Sequence, residues 1–191
     1  MTETHNENEK KSFWSDILRF AVIALVIILP IRLFIAQPFV VSGASMESTF
    51  HNGQYLIVDE LSYHFVDPKR GEVIVFKYPF ENRFLIKRVI GVPFDTVILD
   101  NGTTSIYNTA HPEGFTLSEP YVEAERNFTE GHIERTLKAG EYFVMGDNRL
   151  ESSDSRIWGP LNRGQIVGKP LLRLFPISSI ALFPGEHLST K

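Results

Sequence analysis

Two hydropathy regimes divide the chain. From Phe20 to Ile31 the sequence FAVIALVIILPI is unbroken apolar, and it resumes after Arg32 as Leu33-Phe34-Ile35-Ala36. Such a run predicts a helix with no polar face. At a rise of about 1.5 Å per residue, Phe20 to Ala36 spans roughly 25 Å, slightly short of a hydrocarbon core of about 30 Å. Ile17 and Leu18 add apolar length at one end, Arg32 can extend its guanidinium to the interface at the other, and Pro30 is placed to kink the helix. A transmembrane anchor is therefore expected over residues 17–37. Lys10, Lys11 and Arg19 precede the run, and after Arg32 the next basic residue is Lys69. The positive-inside bias then leaves residues 1–16 as a cytoplasmic tail of a single-pass protein in the cytoplasmic membrane, with the remainder outside. Two other readings compete. A buried core helix is more often amphipathic than apolar all round. A cleaved secretory signal peptide would use the small residues of Ser42-Gly43-Ala44 as its cleavage site.

After the apolar run the pattern changes to short stretches rich in Val, Ile, Phe and Tyr, separated by Gly, Pro, Asn and Asp. Strands are expected at Phe39 to Val41, Tyr55 to Val58, Glu72 to Tyr78, Phe84 to Val92, Thr96 to Leu99, Glu141 to Met145 and Leu171 to Leu174. Turn signals fall between them, among them Asp67-Pro68-Lys69-Arg70-Gly71 and Asp100-Asn101-Gly102. The fold class is mostly β, with one domain over residues 38–191. Residues 100–139 are polar and weakly patterned, and read as an inserted region of hairpins and loops.

Composition narrows the function. About 150 residues beyond the apolar segment are enough for one packed core, and 43% hydrophobic residues with 15 Phe support one. A net charge of −4 and a pI near 5.9 argue against a nucleic-acid partner. The absence of cysteine excludes disulfides, thiolate metal sites and a cysteine nucleophile.

Three polar stretches then carry chemistry. Ser42 to Thr49 (SGASMEST) places a serine in a Gly/Ala turn, Arg83 to Gly91 (RFLIKRVIG) a lysine inside an apolar strand, and Gly146 to Arg156 (GDNRLESSDSR) a polar loop. A serine hydroxyl needs a close, unprotonated base. A lysine can serve if desolvation lowers its pKa, and Lys87 sits among Leu85, Ile86, Val89 and Ile90. Strand alternation turns Lys87 and Arg88 to opposite faces, so one cation can face the serine while the other pairs elsewhere. Arg88 next to Lys87 adds a modest like-charge depression. Taken singly, Lys87 and Arg88 also read as edge-strand charges, and SGAS as an exposed turn. What lifts Ser45 is the small residues before it, the apolar Met46 after it and backbone N–H groups able to form an oxyanion hole. Asp147 and Asp154 could suggest a metal, but Arg149 and Arg156 between them favour a salt-bridged scaffold. The histidines show no ligand spacing, and His51, near Ser45, has no evident acidic partner for a triad. No cofactor or metal is expected.

These boxes resemble, in order and behind a membrane anchor, those of bacterial type I signal peptidase (leader peptidase), the membrane-bound Ser/Lys-dyad endopeptidases of family S26. SGASMEST matches the nucleophile box, GEVIVFK (Gly71 to Lys77) the following strand, FLIKRVIGVPFD (Phe84 to Asp95) the lysine box and GDNRLESSDSRIWG (Gly146 to Gly159) the third block. The resemblance implies a signal-peptidase or repressor-protease-like β domain, no cofactor, and exported preproteins as substrates at a lipid bilayer. It implies Ser45 as nucleophile and Lys87 as general base. Ser152 would hydrogen-bond and orient the lysine amine, and Asp154, Arg156 and Arg88 would hold the site by ion pairing. Gly43 stands where some members carry an oxyanion-hole serine, which leaves backbone N–H groups, Ser45's above all, to fill that place. Phe39, Val41, Met46, Leu85 and Ile86 are the substrate-binding positions. Ser48 replaces a usual Pro and Phe94 a usual Gly, so loop rigidity and the turn after the lysine strand are open. A self-cleaving Ser/Lys protease of repressor type and a catalytically dead secretion or pilus homologue are the alternatives, against which stand the apolar N-terminal segment and the presence of both Ser45 and Lys87.

Overall fold

The computed structural model describes residues 4–30, 36–127 and 131–187. Helix α1 covers Thr4–Pro30. Residues 31–35 of the expected anchor lie outside the described residues, and Ala36 and Gln37 are not helical. They open strand β1 (Ala36–Val40), where they pair with Asp59 and Val58. The reason is Pro38, which biases the residue before it toward extended backbone and is tolerated in a strand at a sheet edge. Among the described residues no helix is long and apolar enough to cross a membrane.

The rest is β structure. The chain forms β2 (Tyr55–Asp59), β3 (Val73–Lys77), β4 (Phe84–Gly91), β5 (Thr96–Asp100), β6 (Thr103–Tyr107), β7 (Phe115–Thr116) and β8 (His132–Thr136). After these come β9 (Glu141–Met145), the one-turn helix α2 (Ser155–Trp158), β10 (Leu161–Asn162), β11 (Ile166–Phe175) and β12 (Ala181–Leu182). The main sheet runs β1-β2-β11-β3-β4-β9-β10, with β12 added to β11, and a second sheet runs β7-β6-β5-β8. Strand β5, expected with the main strands, instead anchors the inserted region. Its alternation hides Val97 and Leu99 and exposes polar partners, so it pairs with β6 and β8 across polar outer faces.

Three apolar clusters hold these layers. Ile90, Phe143 and Met145 of the main sheet pack with Val97, Leu99 and Ile106 of the second. Tyr63, Ile74, Phe76, Val89, Tyr142 and Val144 fill the other face of the main sheet. Val41, Met46, Phe50, Leu56 and Val73 form a cluster beneath the serine loop. Each fully buried side chain of this size contributes roughly 1.5–3 kcal/mol.

Strand β4 positions the site. It pairs with β3 from Phe84 to Arg88 but meets β9 only from Arg88 onward. Its first half therefore has a free edge and partly exposed side chains, while its second half is buried. Lys87 sits at the junction.

Candidate active site

The serine loop follows β1. Val41 N–H donates to Gln54 O at 2.9 Å and Gly53 N–H to Val41 O at 2.9 Å, which closes the loop at its base. Gly43 adopts φ +92°, open to glycine at no steric cost, and its N–H donates to Asn52 Oδ1 at 3.0 Å. Phe50 N–H reaches Met46 O at 2.7 Å. Met46 is only 1% exposed and belongs to the cluster under the loop. It supports the loop from below and does not line the groove, contrary to its expected place among the substrate contacts. A turn has no fixed period, so nothing local told which way its side chain would point.

Lys87 Nζ lies 2.5 Å from Ser45 Oγ, and among the described residues this is the amine's hydrogen bond. The side chain is 2% exposed. Burial, which disfavours the ammonium, pulls its pKa down to about 8; Asp154 and Asp147 pull the other way, and Arg156 and Arg83 add to the depression. The cationic contribution thus comes from Arg156 and Arg83, not from Arg88 as expected. Arg88 is turned to the far side and neutralised there: Nε donates to Asp147 Oδ1 at 2.9 Å and Nη2 to Asp147 Oδ2 at 2.6 Å, with further bonds from Nη1 to Gly71 O and Gly185 O, both at 2.7 Å. His51 is exposed.

The third block wraps this pair. Asn148 N–H donates to Ser45 O at 3.2 Å and its Nδ2 to Ala44 O at 3.2 Å, so the loop holds the serine backbone at two points. Thr49 Oγ1 donates to Asp147 Oδ2 at 2.5 Å. Gly146 is required by close approach: a Cβ there would lie 2.3 Å from Ser45 O and 2.3 Å from Ser152 Oγ. Asp154 caps α2 through Arg156 N–H at 3.2 Å, accepts from Gly146 N–H at 3.1 Å, and binds Arg156 twice, at 2.8 Å through Nε and 2.8 Å through Nη2. Asp154 and Arg156 therefore brace their own loop. Ser152 departs from expectation. Its Oγ accepts from Gly146 N–H at 3.2 Å and makes no hydrogen bond to Lys87 among the described residues. The hydroxyl is committed to the main chain at the point where the two loops touch. Asn148, Thr49 and Gly146 were not singled out from sequence, although all but Thr49 lie inside the block GDNR; Asp147 reads there as part of a metal site or a salt-bridged scaffold, and it is salt-bridged, to Arg88.

Ser45 N–H has no acceptor among the described residues and stands free beside Oγ, a donor available to a developing oxyanion. An open groove leads away from it, lined by Phe39, Val41, Leu56, Phe84, Leu85 and Ile86 together with Ser45 and Lys87. Phe39 and Phe84 meet edge to face across it, with ring centroids 5.3 Å apart. The two departures are now visible in the backbone. Phe94 has φ +71° at the third position of a turn closed by Asp95 N–H to Val92 O at 3.1 Å, and Ser48 has φ +84°.

The family model for "Signal peptidase, peptidase S26" matches residues 14–175. A signal peptidase I of Bacillus licheniformis is 33% identical over 189 residues, covering 94% of this chain and 98% of the relative. A signal peptidase I of Bacillus amyloliquefaciens is 35% identical over 187 residues, covering 92% of this chain and 97% of the relative. A probable signal peptidase I-1 of Synechocystis is 35% identical over 174 residues, covering 87% and 85%. By the extent of the family match and the length over which these relatives align, the chain belongs to the signal peptidase family, peptidase S26.

Proposed function

We propose that this protein is a type I signal peptidase that removes N-terminal signal peptides from exported preproteins, with Ser45 as nucleophile and Lys87 as general base. The observation that carries the reading is the 2.5 Å approach of Lys87 Nζ to Ser45 Oγ by an amine whose burial lowers its pKa to about 8. A lysine so lowered is a substantial base near neutral pH.

In the neutral form the contact runs with Ser45 O–H donating to the amine. Lys87 takes this proton as Oγ bonds to the scissile carbonyl carbon, and the carbonyl electron pair moves onto oxygen, which faces the Ser45 N–H. Collapse of that adduct breaks the C–N bond, and the ammonium of Lys87 returns the proton to the departing amine of the mature chain. A water then gives its proton to Lys87 while bonding to the acyl carbon. Expulsion of Oγ, reprotonated by the same lysine, frees the signal peptide with a carboxyl terminus.

The substrate lies extended between the free outer edge of β1 and the unpaired edge of β4 from Phe84 to Lys87, where it completes both ladders. A bilayer anchor is supported by α1, whose Phe13, Trp14, Ile17, Leu18, Phe20, Val22, Ile23, Leu25 and Val26 are all exposed rather than packed on the β domain. With the N-terminus cytoplasmic, the β domain faces outward, on the side where signal peptides emerge. The test is incubation of the detergent-solubilised protein with a model preprotein. A single cut is expected, and Ser45→Ala and Lys87→Ala should each abolish it without additive loss in the double variant, because the two groups act as a unit. Cleavage retained by either variant would remove the assignment.

A further inference from the structure

The inserted region meets the blocks around the reacting pair, and Tyr121 is central to that contact. The segment after β7 is tied into the core by Leu117, and it then presents Tyr121, only 7% exposed, to the back of the serine loop. Tyr121 meets two of the blocks directly and the third through Glu119. Its carbonyl accepts a hydrogen bond from Ser48 Oγ at 2.7 Å, in the serine loop. Its ring lies against the guanidinium of Arg88, 3.9 Å from carbon to centroid, on the lysine strand. Its hydroxyl donates to Glu119 Oε1 at 3.0 Å, and Glu119 is in turn paired with Arg149 of the third block. A parallel tie runs from Arg126 Nη1 to Glu47 Oε2 at 2.9 Å.

Ser48 makes this arrangement informative. Its φ of +84° is a left-handed value that side chains with a β-carbon rarely adopt. The hydrogen bond from its hydroxyl to the insertion ties the loop down at this strained residue. Arg88 is the strand neighbour of Lys87, and its guanidinium, bound to Asp147 and covered by the Tyr121 ring, is one of the ties that hold the lysine strand against the third block. We infer that Tyr121 is a positioning residue for the reacting pair, holding the Ser48 end of the serine loop and the Arg88 side of the lysine strand in the register that sets Ser45 against Lys87. The inference rests on the Ser45–Lys87 reading above.

The test compares Tyr121→Leu, Tyr121→Phe and Ser48→Gly in the full chain, assayed on one model preprotein, with folding checked by near-ultraviolet circular dichroism. Ser48→Gly keeps access to the positive φ and removes the hydroxymethyl group, and with it the hydrogen bond to Tyr121 O. Misplacement of reacting atoms by about 1 Å costs on the order of a hundredfold. Tyr121→Leu is expected to lower kcat by roughly tenfold to a hundredfold with KM nearly unchanged, and Ser48→Gly by about twofold to tenfold. Tyr121→Phe, which keeps the ring over Arg88, should recover kcat to within about twofold. The acid limb of the Tyr121→Leu profile should also move to higher pH. Lys87 is faced by Asp147, Asp154, Arg156 and Arg83, and a loosened Arg88 leaves Asp147 less compensated. Folded Tyr121→Leu and Ser48→Gly proteins with unaltered kcat and pH profile would overturn the inference. If Tyr121→Leu does not fold, Ser48→Gly decides alone, by the same criterion. Ser45→Ala and Lys87→Ala in the same assay keep the two questions apart: if they remain active the catalytic reading itself has failed, and if they are inactive while the Tyr121 and Ser48 variants match the parent, only the positioning inference has.

Discussion

Arg88 and Asp147, 59 residues apart, form a bidentate ion pair in which neither side chain has any exposed surface. It ties β4 to the third block directly behind the reacting pair, and it explains how two adjacent cations on one strand coexist. One is neutralised by a carboxylate, and the other is lowered by burial. Removing one partner of such a pair leaves an uncompensated buried charge, so Arg88→Met and Asp147→Leu should each cost about 3–5 kcal/mol. The double variant should cost clearly less than the sum. Urea unfolding of the four proteins checks this, and strictly additive losses would show that the pair is not coupled.

Lys87 carries a cost of its own. Its folded value is about 8 against 10.5 for the free side chain, so at about 1.4 kcal/mol per pH unit the site costs on the order of 3 kcal/mol below pH 8. The sign follows from proton binding: between these values the unfolded chain holds the extra proton, so stability rises with pH across the window and is lost again as pH falls to about 8. Lys87→Met should therefore be more stable than the parent at neutral pH, and the gap should close toward pH 10.5. An equal gap at both ends, measured by urea unfolding, would contradict the burial argument.

Phe94 holds a left-handed backbone conformation with the residue 68% exposed, so the side chain gives little back for the strain. Phe94→Gly should stabilise the protein by about 0.5–1 kcal/mol, the left-handed penalty less the larger unfolded-state entropy of glycine. A thermal midpoint that falls would show that the exposed ring has a partner the argument omits.

On the proposed reading the groove sets specificity. With Phe39 and Phe84 touching across it and Leu85, Ile86 and Val41 on its walls, the residues one and three positions before the cut should be small, above all Ala. The residue between them points away along an extended strand and should vary freely. A substrate series checks this. Leu or Lys processed as well as Ala just before the cut would remove the pocket assignment.

Where the chain's own chemistry is local, the sequence was enough to read it. FLIKRVIG announces a strand whose alternation turns Lys87 and Arg88 apart, and the structure has them apart. Pairings between distant loops were not readable. That Arg88 would choose Asp147 rather than Asp154, or that Tyr121 would lie over its guanidinium, depends on how the third block and the insertion fold across the strand, and neither has a periodic pattern. Ser152 and Met46 went astray for a related reason. Both sit in turns, where neighbouring side chains follow no fixed period, and one was taken up by a backbone N–H and the other by the core. The inserted region reads as hairpins and loops, but its individual strands were not placed, because its outer faces are polar and strand and loop look alike there.

The central claim is that a lysine, and no histidine, is the base for Ser45. The most direct measurement is kcat/KM against pH from about 6 to 10 for the parent and for His51→Ala. With Lys87 as base, the rate should climb about tenfold per pH unit and level off near pH 8, and the His51→Ala profile should superimpose on it. An acid limb centred near about 6.5, the ordinary range of histidine, and lost together with activity in His51→Ala would contradict the account.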